Sequence, residues 1–181
     1  MNYFSSGLNY FFNQKYRNFH TRVKLFCDHE DLTERIKSLN IQILLILNIK
    51  SYASSLNPWV TSGTGDFQTQ AFDDGLIEVI GFSISSLPSL VVNLGGHKIA
   101  QCRHVKIVTS QPCHMQMDGE PTLVPEAEIT IEKCDQVSIL MRNKNLRVMA
   151  SHSDADASTT TNFTDMGTYL KKICVCRFPV K

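Results

Sequence analysis

A chain of 181 residues suits a single domain, alone or with tails, and a hydrophobic fraction of 43% can build a core. The formal net charge of +1 argues against nucleic acid as a partner, because nucleic acid is bound through a strongly positive field. Six cysteines without a CxxC pair argue against a disulfide framework or a zinc site, and favour free thiols in a reducing compartment.

The N-terminal part is predicted to hold an aromatic segment and a strand. Residues 9–20 carry aromatic side chains at partly helical spacing, which is compatible with a short helix. The opening lacks a basic leader followed by a long apolar run, so no secretory signal is expected. Arg22–Cys27 alternates between polar and apolar residues, which is typical of a strand, and the charged residues 28–38 indicate a loop or a short helix.

A buried strand is predicted over Ile41–Ile49, followed by a long loop. This apolar run is far shorter than the roughly 20 residues of a membrane helix, so the protein is expected to be cytoplasmic or peripheral to a membrane. The polar residues 50–75 contain Asn57-Pro58, Gly63 and Gly65 and show no clear period. A loop of this length inside a compact domain is often functional.

Short strands separated by turns are predicted for the middle of the chain. Gly75–Phe82 and Lys98–Ser110 favour extended structure, and a shift of the apolar face within the second indicates a bulge. Ala127–Glu132 alternates cleanly, and Gln136–Met141 follows after a short turn, whereas residues 85–96 fit a helix or a loop equally. The pattern predicts an all-β fold, an antiparallel β-sandwich with a few short helices. Its predicted core is Val23, Leu25, Leu45, Leu47, Val79, Ile107, Ile129 and Ile131.

The stretch HMQMDGEPTLV, His114–Val124, is typical of a hairpin. Its two extended runs meet at Asp118-Gly119, a favoured two-residue loop because both turn positions need positive φ. Glu120 directly follows, where a carboxylate would project from a rigid, exposed corner. By pattern alone this corner and the similar Asp73–Gly75 are ordinary turns.

The two ends of the chain are predicted to be tails. Residues 151–162 are small, polar and low in complexity, so disorder is expected within a flexible tail over 143–181. The basic, apolar segment 168–181 is either a floppy terminus or an end that binds a partner or a membrane. With residues 1–9 as a second tail, the domain is expected to span 10–142.

No common catalytic motif occurs in the sequence. There is no P-loop, no GxSxG and no HExxH, and the glycines at 63, 65, 95 and 96 do not form a dinucleotide fingerprint. The histidines are scattered. Residue patterns alone therefore do not name a function.

Four separated segments, taken in order, closely resemble the accessory domain of eukaryotic diacylglycerol kinases. They are LNIKSYASSLNPW (47–59), FDDGLIEVIGF (72–82), HKIAQCRHVKI (97–107) and MQMDGEP (115–121), and RNFHTRVKLFCD (17–28) is similar to the start of that domain. The resemblance covers roughly residues 10–142.

This resemblance implies a reaction. Such kinases transfer the γ-phosphoryl group of ATP to diacylglycerol, giving phosphatidate, and require Mg²⁺. The active site lies between an α/β catalytic domain, which carries a GGDGT-type loop for the nucleotide, and the β-sandwich accessory domain. Only the second half is expected here, so the isolated chain should be inactive and should need a catalytic domain in cis or in trans, with diacylglycerol at a membrane surface.

The resemblance also implies a role for the hairpin corner. In bacterial relatives the glutamate that matches Glu120 lies at the cleft and accepts a proton, so Glu120 is the candidate catalytic residue, with Asp118 and Gly119 as its cleft neighbours. A placed carboxylate can orient and deprotonate an attacking hydroxyl. The alternative is that Glu120 caps the turn or pairs with a lysine.

A second implied site is for magnesium. Bacterial relatives hold the ion through aspartates and a leucine carbonyl, which Asp74 and Leu76 match. Ala71 stands where a further aspartate is expected, and Asp73 is the candidate substitute. The alternative is a turn that holds no metal.

The loop after the 41–49 strand departs from the family pattern. Lys50 stands in place of a proline, and expected glycines are missing, so the loop should be stiffer or bent differently. Asn48 and Ser51 are candidates for the cleft wall, with core or turn roles as the alternative. Trp59 is expected to be a buried anchor whose indole N–H needs a partner.

Two classes of function remain open. The chain is either the accessory half of a lipid kinase, or a non-catalytic β-sandwich that binds a kinase, a lipid surface or another protein.

Overall fold

The fold is built from antiparallel strands. The structure, a computed structural model, describes residues 18–52, 56–59, 67–91, 94–142 and 168–177, and all the strand pairs that it describes are antiparallel. The helices are α1 (Phe19–Arg22), α2 (Thr33–Ser38) and α3 (Leu87–Val91), and the strands are β1 (Val23–Cys27), β2 (Glu30–Asp31), β3 (Ile43–Leu47), β4 (Ile77–Phe82), β5 (His97–Cys102), β6 (His104–Thr109), β7 (Cys113–Met117), β8 (Glu120–Val124), β9 (Ala127–Arg142) and β10 (Thr168–Arg177).

Two sheets and a separate hairpin make up the architecture. The larger sheet has the strand order β10-β9-β6-β1-β2, and the smaller one has the order β3-β4-β5. Strands β7 and β8 pair only with each other among the described strands. In β1 the residues Val23, Leu25 and Cys27 are buried and Lys24 is exposed, as the alternation predicts.

The main core lies between the two sheets. Apolar residues on one face of β1, β6 and β9 and on one face of β4 and β5 belong to a single cluster, so the predicted sandwich is confirmed. Helix α2 adds Ile36 to this cluster. Of the predicted core residues, Leu45 and Ile107 are half-buried, and the buried ones are Val23, Leu25, Leu47, Val79, Ile129 and Ile131.

A second apolar cluster covers the other face of the smaller sheet. It contains Leu47, Ile80 and Phe82 together with Trp59, whose side chain is only 1% exposed. The Trp59 ring makes an edge contact with Phe67 at 5.2 Å. Trp59 is thus the predicted anchor, but its indole N–H has no partner among the described residues.

The segment predicted as one strand over 98–110 is two strands in different sheets. Pairing in the smaller sheet shifts between Val79, opposite Ala100, and Ile80, opposite Lys98. The extra residue, Ile99, forms the predicted bulge. The further shift of the apolar face past Cys102 has another cause, because the chain passes from one sheet to the other at Arg103.

The carboxylate of Asp28 fixes this passage. It accepts hydrogen bonds from the backbone N–H groups of Arg103 at 3.0 Å and His104 at 2.8 Å. The Asp28 N–H donates to the His104 carbonyl at 3.0 Å. These bonds satisfy backbone groups that would otherwise lack partners where neither sheet continues.

The C-terminal elements differ from the prediction. The turn predicted before Gln136 is wrong, because Ala127–Arg142 is one strand. It pairs with β6 through residue 132, and β10 supplies the partner from there onward. Over Thr168–Arg177 the structure therefore has a strand where a flexible tail was predicted, whereas residues 1–17, 143–167 and 178–181 lie outside the described part of the chain.

Replacing Ile129 with alanine should lower the free energy of unfolding by ~2–5 kcal/mol, because its buried side chain leaves a cavity between the sheets. Chemical denaturation measures this loss. Val137→Ala in the same strand is the control, since Val137 is 44% exposed and a surface change of this kind costs roughly 0.5 kcal/mol or less. Equal losses in both variants would contradict the finding that Ile129 is buried in the core and Val137 is exposed.

Cysteine labelling should report the closure of the sandwich. Cys27 and Cys102 are buried, and the neighbouring Cys27 thiol together with burial raises the pKa of the Cys102 thiol. Cys134 is exposed. At pH 8 iodoacetamide should modify Cys134 in the native chain but Cys27 and Cys102 only after unfolding, as peptide mass spectrometry can show. Rapid labelling of Cys102 in the native chain would show that the two sheets separate near the end of β5.

Candidate functional site

The hairpin corner forms as the sequence predicts. Asp118 and Gly119 have φ values of 48° and 96°, and Met117 pairs with Glu120 across the turn. Positive φ at both central residues matches the right-handed twist of the two strands. The corner is therefore a defined two-residue turn that presents Glu120 at its exit.

Glu120 lies at the exposed end of an apolar hairpin face. Because side chains alternate along paired strands, Glu120 shares a face with Met117, Met115 and Val124. Val124 is buried in the main core, Met115 packs against that core, and Met117 is 44% exposed. The face thus changes from buried to exposed along the hairpin, and Glu120 stands at the exposed end.

An open groove borders this carboxylate. Its volume is about 430 Å³. Among the described residues no cation pairs with Glu120, and no hydrogen bond ties its side chain to the turn. The carboxylate is consequently open to solvent at the edge of this groove. The lining residues are Met115, Met117 and the range Glu120–Pro125.

The second acidic corner precedes β4. An oxygen of the half-buried Asp74 accepts a hydrogen bond from the Leu76 N–H at 2.9 Å, and Gly75 between them has a φ of 71°. The Arg103 guanidinium lies 3.3 Å from the position that a Cβ on Gly75 would take. Asp73 is exposed at the start of this turn.

Strand register places Asn48, a predicted cleft residue, at the end of the smaller sheet where the Asp73–Leu76 turn lies. Leu47 pairs with Glu78, so the half-buried Asn48 follows β3 where the Asp73–Leu76 turn leads into β4. Ser51 is exposed further along the same loop. The structure therefore groups Asn48 with the acidic turn.

A buried polar network at this end was missed by the sequence analysis. The Glu78 carboxylate is fully buried, and each of its oxygens accepts one amide N–H, from Gln70 at 2.9 Å and from Gln101 at 3.1 Å. Burial raises the pKa of Glu78, and the charge of Asp74 adds to this effect. The one signal in the sequence was a carboxylate within the apolar run IEVIGF.

The two acidic corners lie on different elements. The Asp73–Leu76 turn leads into the smaller sheet, whereas Glu120 belongs to the separate hairpin. Within the described part of the chain no hydrogen bond or ion pair joins them, and no three His, Cys, Asp or Glu side chains form a group that could hold a metal ion.

A comparison with protein families identifies the family of this chain. A family model described as the diacylglycerol kinase accessory domain matches residues 1–121, a range that includes both corners. The chain belongs to the diacylglycerol kinase accessory-domain family.

Full-length relatives extend the match. The chain is 36% identical to diacylglycerol kinase iota of Mus musculus over 155 residues, which are 85% of this chain and 15% of that protein. It is 37% identical to diacylglycerol kinase zeta of Homo sapiens over 133 residues, 73% of this chain and 14% of the relative. The eye-specific diacylglycerol kinase of Drosophila melanogaster is 35% identical over 134 residues, 74% and 9% of the two chains.

The chain thus spans about 15% or less of the length of these curated relatives. No solved structure matches it. Among the described residues of this accessory domain, no helix has the length and apolarity to cross a membrane.

The two turn glycines provide a test of the acidic corners. Alanine in a left-handed conformation costs roughly 1–2 kcal/mol at either position. Among the described atoms none lies within 4 Å of a Cβ on Gly119, and the group nearest to a Cβ on Gly75 is the guanidinium of the exposed Arg103, at 3.3 Å, which can move aside. Gly75→Ala and Gly119→Ala should therefore each lower the free energy of unfolding in urea titrations, and the loss at Gly119 should be at least as large, because its φ of 96° lies further from the left-handed region open to alanine. An unchanged free energy of unfolding at either position would contradict these turn conformations.

Proposed function

We propose that this chain is the accessory half of an ATP-dependent diacylglycerol kinase, that it forms one wall of the catalytic cleft, and that Glu120 is the catalytic base. Family membership supports the reaction class. The observation that carries the role of Glu120 is its position, an exposed carboxylate without a described partner at the edge of an apolar groove.

The proposed mechanism uses the amphiphilic character of the lipid. The apolar groove accommodates part of the acyl or glycerol moiety, which brings the free hydroxyl group to Glu120. The Glu120 carboxylate accepts the hydroxyl proton as the hydroxyl oxygen attacks the γ-phosphorus of ATP. The bond from that phosphorus to the β–γ bridging oxygen breaks, and ADP leaves. General-base help of this kind typically contributes ~10²–10⁴-fold.

The turn before β4 is proposed as a Mg²⁺ site. Its donors are hard oxygens, namely the Asp74 carboxylate and the Leu76 carbonyl, with Asp73 nearby. They fit an ion that takes one or two carboxylates and keeps several waters. The Asp74 bond to the Leu76 N–H uses one carboxylate oxygen and leaves the other without a described partner. A bound Mg²⁺ would neutralise phosphoryl charge.

The nucleotide is proposed to bind mainly to a catalytic domain, in cis or in trans. These 181 residues contain no GGDGT-type loop. Asn48 and Ser51 would line the cleft on the accessory side, next to the acidic turn. The lipid substrate requires that the assembled enzyme work at a membrane surface, as a peripheral protein.

The isolated chain should not phosphorylate diacylglycerol, because stabilising the transferred phosphoryl group depends on parts that hold ATP. Adding a separately expressed catalytic domain from the same kinase should restore phosphatidate formation. A radiolabelled-ATP assay measures both. Activity of the chain alone, with contaminating kinase excluded, would contradict the proposal.

Glu120→Gln in the assembled kinase should lower kcat by ~10²-fold or more, because the amide cannot accept the proton. The nearly isosteric change should leave the hairpin, the melting temperature and ATP affinity intact. Asp118→Asn is the matched control, since Asn-Gly supports the same turn. Near-normal turnover of Glu120→Gln would leave the corner as an acidic turn without a catalytic role.

A further inference from the structure

The buried carboxylate of Glu78 connects three parts of the chain that are distant in sequence. Glu78 lies in β4, Gln101 lies opposite it in β5, and Gln70 lies in the segment that leads to the acidic turn. We infer that Glu78 is a positioning residue that holds this segment, and through it the Asp73–Leu76 turn, in place. Its consequence for catalysis rests on the proposed function.

Each glutamine in the network has a second contact that ties down the segment. The Gln70 side-chain N–H₂ also donates to the Ile49 carbonyl at 2.9 Å. The side-chain amide oxygen of Gln101 accepts a hydrogen bond from the backbone N–H of Gln68 at 2.9 Å. The carboxylate therefore links the segment to the loop after β3 on one side and to β5 on the other.

Side-chain bonds are needed here because the segment has no regular structure. Residues 67–76 form neither helix nor strand, so backbone ladders do not order them. Asp74 follows Gln70 closely, and its bond to the Leu76 N–H completes the turn. The bonds of Gln68 and Gln70 thus anchor the residues that shortly precede Asp74.

The network requires two acceptor oxygens at position 78. Both neighbouring groups that face the carboxylate are amide N–H₂ donors. A glutamine at position 78 would offer one oxygen and one N–H₂ group, so one donor would face another donor and a bond would be lost. Glu78→Gln is consequently a nearly isosteric change that removes one contact.

A double variant can restore the lost bond. With Glu78→Gln and Gln101→Glu together, the new amide at 78 donates to the carboxylate at 101 and still accepts from Gln70. The carboxylate at 101 keeps an oxygen for the Gln68 N–H. The main bond lost is the weak one from Gln101 to the Gln68 carbonyl, at 3.4 Å. A role limited to packing does not predict this rescue.

Hydrogen exchange of the full 181-residue chain tests the inference without any kinase assay. In Glu78→Gln, the hydrogen-bonded backbone amides of Gln68 and Leu76 should exchange roughly 10-fold faster or more, because a lost bond to a charged group is of that size. Amides of β1 and β6 that exchange through local opening should be unaffected, and the double variant should return towards the wild-type rates. Equal acceleration in β1 and β6, or a double variant no slower than Glu78→Gln, overturns the inference.

The kinase assay then tests the catalytic consequence. In the assembled enzyme Glu78→Gln should lower kcat about 10-fold with the KM for ATP unchanged, and the double variant should recover most of the loss. Gln111→Leu is the matched control, since Gln111 is exposed and has no described contact, and it should leave kcat unchanged. Normal kcat in Glu78→Gln overturns the positioning role in catalysis, whereas inactivity of the wild-type assembly bears on the proposed function alone.

Discussion

The burial of β4 on both faces is the constraint on which the rest of the structure depends. All six of its residues are buried, since one face meets the core between the sheets and the other meets the cluster around Trp59. The layers approach so closely that a Cβ on Gly81 would lie 2.7 Å from the Ile41 side chain. A charged group in such a strand is tolerated only when its hydrogen bonds are satisfied, and Gln70 and Gln101 supply them for Glu78.

The conformations of the two acidic corners are stabilised by different interactions. The hairpin corner depends on local backbone geometry, because Asp118 and Gly119 adopt the positive φ values of a tight turn and no described atom lies within 4 Å of a Cβ on Gly119. The corner before β4 depends on side chains from elsewhere in the chain, including those around Glu78. The first corner is thus a self-contained unit on the hairpin, and the second is part of the sandwich.

Features that arise from local rules could be predicted from the sequence. Asp118-Gly119 encodes its own turn, and the alternation in β1 and around Ile129 follows from one buried face. The resemblance to a known family pointed to Glu120, and the structure adds the apolar groove beside it.

Features that depend on pairing between distant residues could not be predicted. The partners of Glu78 lie 8 and 23 positions away, and strand register and the approach of the 67–70 segment bring them together. The continuity of β9 depends on β10, far along the chain, and the change of sheet at Arg103 depends on Asp28. None of these three features leaves a periodic pattern or a motif in the local sequence.

The place of β3 in the smaller sheet has a consequence for the behaviour of this half on its own. Of the described strands only β4 pairs with β3, so Ile43–Leu47 is an edge strand of five aliphatic residues without a charge. The backbone donors and acceptors along such an edge are a template for another strand, and natural proteins usually blunt edges with charged residues or cover them. A neighbouring part of a longer kinase that covered this edge would protect the half against self-association, over and above any share in catalysis.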